Sequence, residues 1–404
     1  MAKIQGNKRA CLITPGHISA DPRLVKEAQA LSRAGMQVHL IFTQYVDYLI
    51  GHDKMILDAN PGWTADHLNW SGDSFFSKLI RAAGGLMRFT RNNNTKINRN
   101  FLWQLKKAYA YPADIYIAHN PGALAIAVMA AKKNKAKCGF DAEDFHRNER
   151  SDDENDEDVK LKTAIENATV YRFDYMTAAS PQIAEKYEGL FNRSVTPVLN
   201  VFPKTHINAI INNVNSPLQL FWFSQTIGRN RGLEMVIDAI NISGIVMDLH
   251  LLGKVNVNYK DQLLALNNNY PHPNAIIHFH APVPGDELFN ITALYDIGFA
   301  SEMYEPYNRN ICLTNKIFTY MQCGLAVAAS DTIAQTRFME QYPETGKVYA
   351  NADELANILT AYHNNRELLY QTKKASYAIG QTKLNWEIES EKLIQVVQQT
   401  LANQ

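Results

Sequence analysis

The chain has 404 residues, a formal net charge of zero, 46% hydrophobic residues and 20% charged residues. That length suits two domains of ordinary size with separate cores, and that composition excludes a disordered chain. The balanced charge argues against a nucleic-acid binder. With no run of about 18 apolar residues, no membrane-spanning helix is expected either.

In chain order, Ala10 to Thr14 reads as a buried strand. Asp21-Pro22 then offers an N-cap with proline in the first helical turn. Leu24, Ala28 and Leu31 recur at helical spacing, Gly35 is a stop, and Val38 to Phe42 is the next strand. Asp114 to His119, Lys137 to Ala142, Tyr175 to Ser180 and Pro197 to Val201 read as further strands. The pattern lapses between Pro203 and Pro217 and then restarts. Leu218 to Ser224, Leu249 to Gly253, Ile276 to Phe279, Ile297 to Ala300 and Ala326 to Ser330 read as strands. Gly232 to Ile242, Glu287 to Leu294 and Asn315 to Cys323 read as helices, as does the last segment from about Trp386 to Leu401. Such alternation predicts an α/β chain of two Rossmann-like halves, with ligands at the carboxyl ends of the strands and in a cleft between the halves. The expected domains are 1–203 with a terminal helix at 384–404, a linker at 204–216, and 217–383.

Charge is segregated along the chain. Ser74 to Tyr111 carries eight basic residues and no acid, whereas Asp141 to Asp158 carries ten acids and two arginines. The basic segment interleaves its cations with Phe75, Phe76, Leu79, Ile80, Leu86, Met87, Phe89, Phe101, Leu102 and Trp103. It suits contact with an anionic membrane, a helix pair with solvated cations, or the holding of a polyanionic or lipid-linked acceptor. Within the acidic run, Asp156-Glu157-Asp158 mimics a metal-binding DxD string but reads better as a solvated loop or a helix start. His278 and His280 alternate along a strand, and nothing nearby completes a zinc set. No GxGxxG follows a strand, which disfavours a nicotinamide enzyme. Cys11, Cys138, Cys312 and Cys323 lack CxxC spacing and read as reduced thiols, Cys11 and Cys138 buried in apolar runs, of a cytosolic protein. Residues 1–9 are polar and basic, unlike a signal peptide.

Five strand-end or helix-start segments could carry chemistry. His17-Ile18-Ser19-Ala20-Asp21-Pro22-Arg23 follows the first strand; Asp21 can cap the helix and Arg23 can stand as a solvated first-turn residue. Ala118-His119-Asn120-Pro121 ends a strand, where an imidazole can donate to a sugar hydroxyl or to nearby backbone. Phe140-Asp141-Ala142-Glu143-Asp144 places paired acids at a strand end, suited to holding a hydroxyl, to acting as base, or to capping the sheet. Gln225 to Glu234 opens a helix with Arg231, whose guanidinium can fork onto phosphate. Glu302 to Tyr307 precedes the helix Asn315-Lys316-Ile317-Phe318-Thr319-Tyr320-Met321, whose N-terminus and lysine favour an anion.

These segments, in this order, resemble the motifs of group-1 (GT4-like) glycosyltransferases of the GT-B fold. The resemblance runs from Cys11 to about Trp386. It implies a terminal helix crossing back to the first domain, a nucleoside-diphosphate sugar donor on the second domain, and a glycan or lipid-linked acceptor on the first. It implies retention, independence from metal and no other cofactor; the balanced charge argues for no nucleic-acid partner, the cysteines for a cytoplasmic location, and the basic segment for peripheral contact to the inner face of a membrane through 74–111. His119, Glu305, Lys316 and Arg231 take the catalytic positions. Ser19, Thr226, Arg231, Gly253, Val283, Asn315, Lys316 and Thr319 take donor-binding positions, and His17, Asp21, Asp141 and Glu143 the acceptor side. Thr319 stands where the family helix carries a glutamate, and Glu143 where a histidine is usual. A nucleotide-sugar epimerase of the same fold, or an inactive nucleotide-sugar binder, are the rival readings.

Overall fold

The computed structural model describes residues 4, 6–72, 75–87, 92–212 and 216–402. The chain divides into two compact units: Met1–Asn200 with Glu389–Gln404, and Val201–Ile388. The segment 204–216 thus belongs to the second unit, and the helix Trp386–Ala402 joins the first unit from Glu389 onward.

In the first unit the strands are β1 (Arg9–Ile13), β2 (Gln37–Gln44), β3 (Thr64–Asn69), β4 (Ile115–His119), β5 (Lys137–Ala142), β6 (Tyr175–Ala178) and β7 (Thr196–Pro197). They lie in the order β3-β2-β1-β4-β5-β6-β7, each pair parallel. β1, β4 and β5 are almost wholly buried because helices cover both faces of the sheet. The strand expected at 197–201 is confined to Thr196–Pro197 at the sheet edge. Pro197 has no N–H to donate, and the last sheet bond runs from Val198 N–H to the Ala178 carbonyl at 2.8 Å. Sequence reading passed over the helix Asp47–Asp58 and β3, whose half-exposed, polar residues give little periodic signal.

In the second unit the strands are β8 (Gln219–Ile227), β9 (Met247–Val255), β10 (Ala275–His280), β11 (Ile297–Ala300), β12 (Ala326–Ser330) and β13 (Gly346–Tyr349). Their order is β10-β9-β8-β11-β12-β13, again parallel throughout. Leu220, Trp222, Leu249, Leu251, Ile297 and Phe299 pack with Val236, Ile240, Leu355 and Leu359 in one core cluster. The helix expected at Glu287–Leu294 runs Gly285–Thr292, and that at Asn315–Cys323 lies where expected.

Each sheet reverses its winding once, between β1 and β4 in the first and between β8 and β11 in the second. At such a reversal the loops leaving the two strands diverge and open a crevice, so these two points are where each unit can receive a ligand.

Candidate functional sites at the two sheet reversals

At the reversal of the second sheet, the loop after β8 carries Arg231 and the segment after β11 carries Glu302. Gly232 follows Arg231 at φ 69°, and a Cβ there would stand 3.0 Å from Ser301 Cβ. Only glycine lets the two loops approach so closely. Glu302 is buried and fixed by its backbone: its N–H donates to Ser330 Oγ at 2.9 Å, and that hydroxyl lies 2.9 Å from the Glu302 carbonyl. Its carboxylate accepts from Lys316 Nζ at 2.6 Å and lies 3.6 Å from the Arg231 guanidinium. Lys316, in the first turn of the helix Asn315–Cys323, also lies over the Trp222 ring, 5.4 Å from its centroid. Burial alone would raise the Glu302 carboxyl, but Lys316, then Arg231 and Arg309, outweigh it and hold it below the usual range. Arg309, in the short helix Tyr307–Ile311, donates to the Asn230 carbonyl at 2.7 Å. Burial and the neighbouring Arg231 lower its own pKa.

The sequence-derived donor residues divide accordingly. Arg231 and Lys316 meet on Glu302, and Asn315 stands exposed at a helix start whose N-cap, Thr314, makes no side-chain capping bond. Glu305 is exposed, three residues beyond the inward-facing Glu302. Thr319 is buried and its hydroxyl donates back to the Asn315 carbonyl at 3.0 Å. Thr226 is exposed on β8 beside Lys254 of β9, and Val283 is half-buried after β10. Gly253, at φ 152°, is required by backbone: a Cβ there would fall 2.3 Å from the Ser224 carbonyl oxygen, next to the irregular register between Phe223 and Thr226. Glu302 and Arg309 were missed as functional residues. The signal for Glu302 is its place two residues past the end of β11, whereas Glu305 drew attention through the Glu-Pro string alone.

At the reversal of the first sheet, the loop after β1 is held from below. His17 Nδ1 and Asp53 Oδ2 are 2.6 Å apart, both fully buried. His17 Nε2 accepts the backbone N–H groups of Tyr45 (2.8 Å) and Val46 (2.9 Å), so Nδ1 carries the proton and donates to Asp53. Asp53 also accepts from Ser19 N–H, Ser19 Oγ and Gln44 Nε2. His17 and Ser19, read as acceptor and donor contacts, are therefore the two ends of a clamp that fixes the loop. Asp21 caps the helix Pro22–Arg33 through Leu24 N–H at 3.1 Å and also accepts from Asn120 Nδ2 at 3.2 Å.

Arg23 is not solvated. It is buried and forks onto Asp141, Nε to Oδ2 at 2.5 Å and a terminal nitrogen to Oδ1 at 2.8 Å, and donates to the Val198 carbonyl. Thr177 completes the Asp141 shell at 2.6 Å. His119 Nε2 lies 3.3 Å from Glu27 and Nδ1 3.7 Å from Asp141, all three buried. Burial would raise Asp141, but Arg23 and His119 hold it down at about 2. Burial would lower His119, but Glu27, Asp21 and Asp141 lift it to about 9. Glu143 bonds Asn200 at 3.1 Å, and burial, then Asp21 and Asp144, raise it to about 7. Asp141 and His119 thus form a closed ionic knot behind the loops, while Glu143 has the proton affinity of a general base at neutral pH.

Beside this knot lies a cavity of about 610 Å³ within the first unit, bounded by the loops after β1, β2 and β4. His17 and Asp21 touch it, whereas His119, Asp141 and Glu143 do not line it.

Two further points concern metal. Asp156 caps the helix Glu157–Thr169 through the N–H groups of Asp158 and Val159, so the DxD string is a helix start, as expected. The expectation that nothing completes a set around His278 and His280 is corrected. The parallel register sets His278 beside His250, and Asp248, His250 and His278 bring ligand atoms within 4.8 Å of one another. The partners lie about thirty positions away in sequence, on the neighbouring strand. Glu27, His119 and Asp141 form a second such group, buried and ion-paired, in which neither Glu27 oxygen nor His119 Nε2 makes a hydrogen bond.

No protein-family description and no curated protein sequence matches the chain. Solved structures do. HepE (Alr3699) of Anabaena, in complex with UDP and glucose, is 14% identical with a TM-score of 0.68, over 97% of this chain and 100% of that one. A glycosyltransferase from Rickettsia africae ESF-5 is 12% identical with a TM-score of 0.68, over 99% and 100%. A Listeria monocytogenes protein assigned as a UDP-N-acetylglucosamine 2-epimerase is 12% identical with a TM-score of 0.59, over 99% and 98%. Among the described residues no helix is long and apolar enough to cross a membrane. Two parallel sheets, each reversing once, in a chain that these structures match over 97% to 99% of its length, give this chain the GT-B fold.

Proposed function

We propose that this chain is a cytoplasmic glycosyltransferase that moves a sugar from a nucleoside-diphosphate sugar to a glycan or lipid-linked acceptor. The donor occupies the second unit and the acceptor the first. One observation carries the reading: Arg231, Arg309 and Lys316 gather around the single buried carboxylate of Glu302 at the sheet reversal. One carboxylate offsets one of three cations, so the cluster is completed by an anion of about two charges. The diphosphate of a leaving nucleotide supplies that charge, and cations already in place stabilise it as it develops. UDP and UDP-glucose, bound in the HepE structures, make uridine diphosphate sugars the first donors to test.

Retention and independence from metal belong to the same proposal and rest on the sequence resemblance. Peripheral membrane contact through 74–111 belongs to it too and rests on the basic, acid-free stretch of that segment. Lys78, Lys96 and Lys106 are exposed there, and Leu79 and Leu102 are each about half exposed. Arg81, by contrast, donates to the Trp70 and Gly72 carbonyls, and Lys107 pairs with Asp66. Ser74, Arg88, Phe89 and Arg91 lie outside the described residues, and the side chains of Phe75, Phe76, Ile80, Leu86 and Met87 are not described.

The deciding experiment is calorimetry with nucleoside diphosphates followed by turnover of the matching UDP- or GDP-sugar. Binding together with release of free diphosphate supports the transferase. A sugar inverted at C2 but still attached to its nucleotide identifies the epimerase, the reading favoured by the Listeria neighbour. Binding without any turnover identifies a binder, and no binding of any nucleoside diphosphate sinks the proposal.

A further inference from the structure

We propose that Asp248, His250 and His278 bind a divalent first-row transition ion of the zinc kind, which ties the edge strand β10 to β9. The inference stands apart from the transferase reading. Asp248 and Ile276 are the second residues of β9 and β10, so the cluster lies toward the amino ends of these strands, whereas Arg231 and Glu302 follow the carboxyl ends of β8 and β11. Strand alternation turns Leu249 and Leu251 into the core, so Asp248 and His250 face the other way. The register sets Ile276 opposite Asp248 and His278 opposite His250. β10 is the last strand at that edge of the sheet, and Ile276 is 46% exposed on this face. Asp248, His250, His278 and His280, all half-buried, thus gather on a face that water reaches. Three imidazoles beside a carboxylate are not what apolar packing selects there.

The donor atoms of Asp248, His250 and His278 all lie within 4.8 Å of one another, and His278 Nε2 stands 2.8 Å from Asp248 Oδ1. Donors around a tetrahedral ion, each about 2.0–2.1 Å from it, are about 3.3 Å apart, so this pair needs to open by only about half an ångström. The His278 ring, 39% exposed, is free to turn and admit the ion. Asp248 and His250 are held in place. Gln219, beside Asp248 on β8, donates through Nε2 to Asp248 Oδ2 at 2.9 Å and presents Oε1 to His250 Nε2 at 3.0 Å. An ionised carboxylate only accepts, which fixes the amide this way round. His250 Nδ1 in turn meets His280 Nε2 at 2.9 Å. Whichever nitrogen of His250 takes the ion, the other keeps its partner, and that bond orients the ring, as the outer bonds of ligating imidazoles do. The displaced partner, His280 or Gln219, is left next to the ion as a fourth donor. From behind, His250 rests on Tyr295 with centroids 4.7 Å apart, and Tyr295 stacks on Phe221 at 4.4 Å. Two imidazoles and one carboxylate suit zinc, cobalt or nickel rather than magnesium or calcium, which take oxygen donors. The group of Glu27, His119 and Asp141 lacks this access: all three are buried, and Arg23 already forks onto Asp141.

The test uses the full chain without a histidine tag, stripped with EDTA and desalted. Titration with zinc chloride should show one equivalent of zinc bound per chain, and cobalt(II) should compete for the same place. Excess zinc should raise the melting temperature, because an ion held only by the folded chain stabilises it, and magnesium should not. His278→Gln and Asp248→Asn should each remove the stoichiometric zinc. Gln219→Ala, which frees both Asp248 and His250, should weaken it by roughly 10–100-fold. His52→Gln, at an exposed histidine of the first unit, should leave it unchanged. Three variants at separate positions keep the test decisive if one of them fails to fold, which circular dichroism reports. The inference is overturned if no zinc binds, if magnesium binds as well as zinc, or if the folded variants of His278, Asp248 and Gln219 hold zinc as the wild type does. Zinc lost equally in His52→Gln would overturn it too, as adventitious binding to surface histidines.

Discussion

Lys316 Nζ lies 2.6 Å from Glu302 Oε1, and both side chains are buried in the second unit. An ion pair taken out of water is held together by mutual need. Removing one partner leaves the other charge unmatched, whereas replacing both with neutral groups is tolerated. Any test of Lys316 in donor binding must therefore separate affinity from stability.

Lys316→Met alone should destabilise the second unit by roughly 3–5 kcal/mol, and Lys316→Met with Glu302→Gln by clearly less. Urea unfolding of the single and double variants checks this. Equal loss in both would mean that the pair is not coupled.

Arg231 is one-third exposed and 3.6 Å from Glu302, so its removal should spare the fold. Arg231→Ala is expected to weaken nucleoside-diphosphate binding by roughly 1.5–3 kcal/mol, the range for a hydrogen bond to a charged group. Calorimetry showing the wild-type affinity would remove Arg231 from the donor site.

The His119 knot sets a pH dependence. Folding lifts His119 from 6.5 to about 9, so the folded state holds that proton more tightly than the unfolded one. Its contribution is fully present below pH 6.5 and is lost as pH rises through 9. Asp141 moves the other way, from 3.8 to about 2; its contribution is present above pH 3.8 and lost as pH falls through 2. This contribution should tilt the melting temperature downward between pH 6.5 and 9, against an opposite one from Lys26, which burial and the neighbouring Arg23 lower to about 7 and which adds stability as pH rises from there. His119→Gln should flatten that slope while lowering the plateau, and an unchanged slope in the variant would assign it to another group.

Turnover is expected to survive EDTA. If chelation abolishes it and a divalent ion restores it, Asp248, His250 and His278 are the first residues to exchange for alanine. Loss of metal rescue in those variants would relocate the requirement to the β9–β10 face.

Much of the architecture was legible because parallel strands buried on both faces write themselves as apolar runs. β5, β11, β12 and the helix Asn315–Cys323 fall on the expected residues. β3 was missed because polar residues carry it, and the strand expected at 197–201 shrank to Thr196–Pro197. The site was legible in a different way. Arg231 and Lys316 sit at helix starts, which a local string can mark. What they converge on cannot be marked locally: Glu302 turns inward and Glu305 outward, and only the end of β11 tells them apart. Arg23 shows the same limit. In sequence it follows a helix cap and looks solvated; its partner Asp141 is 118 residues away and reaches it only through the order of the sheet. The histidines of β10 gained their neighbours by register for the same reason.

The bond between His17 and Asp53 bears on how the first unit can move. Asp53 accepts from His17, Ser19 and Gln44, and His17 in turn secures Tyr45 and Val46. A loop tied at this many points meets its ordering entropy during folding, so any ligand reaching it meets a backbone already in place at Tyr45 and Val46 and loses little affinity to loop freezing. The same rigidity disqualifies residues 16–20 as a moving gate. Whatever opens and shuts during a catalytic cycle must do so in segments without such an anchor.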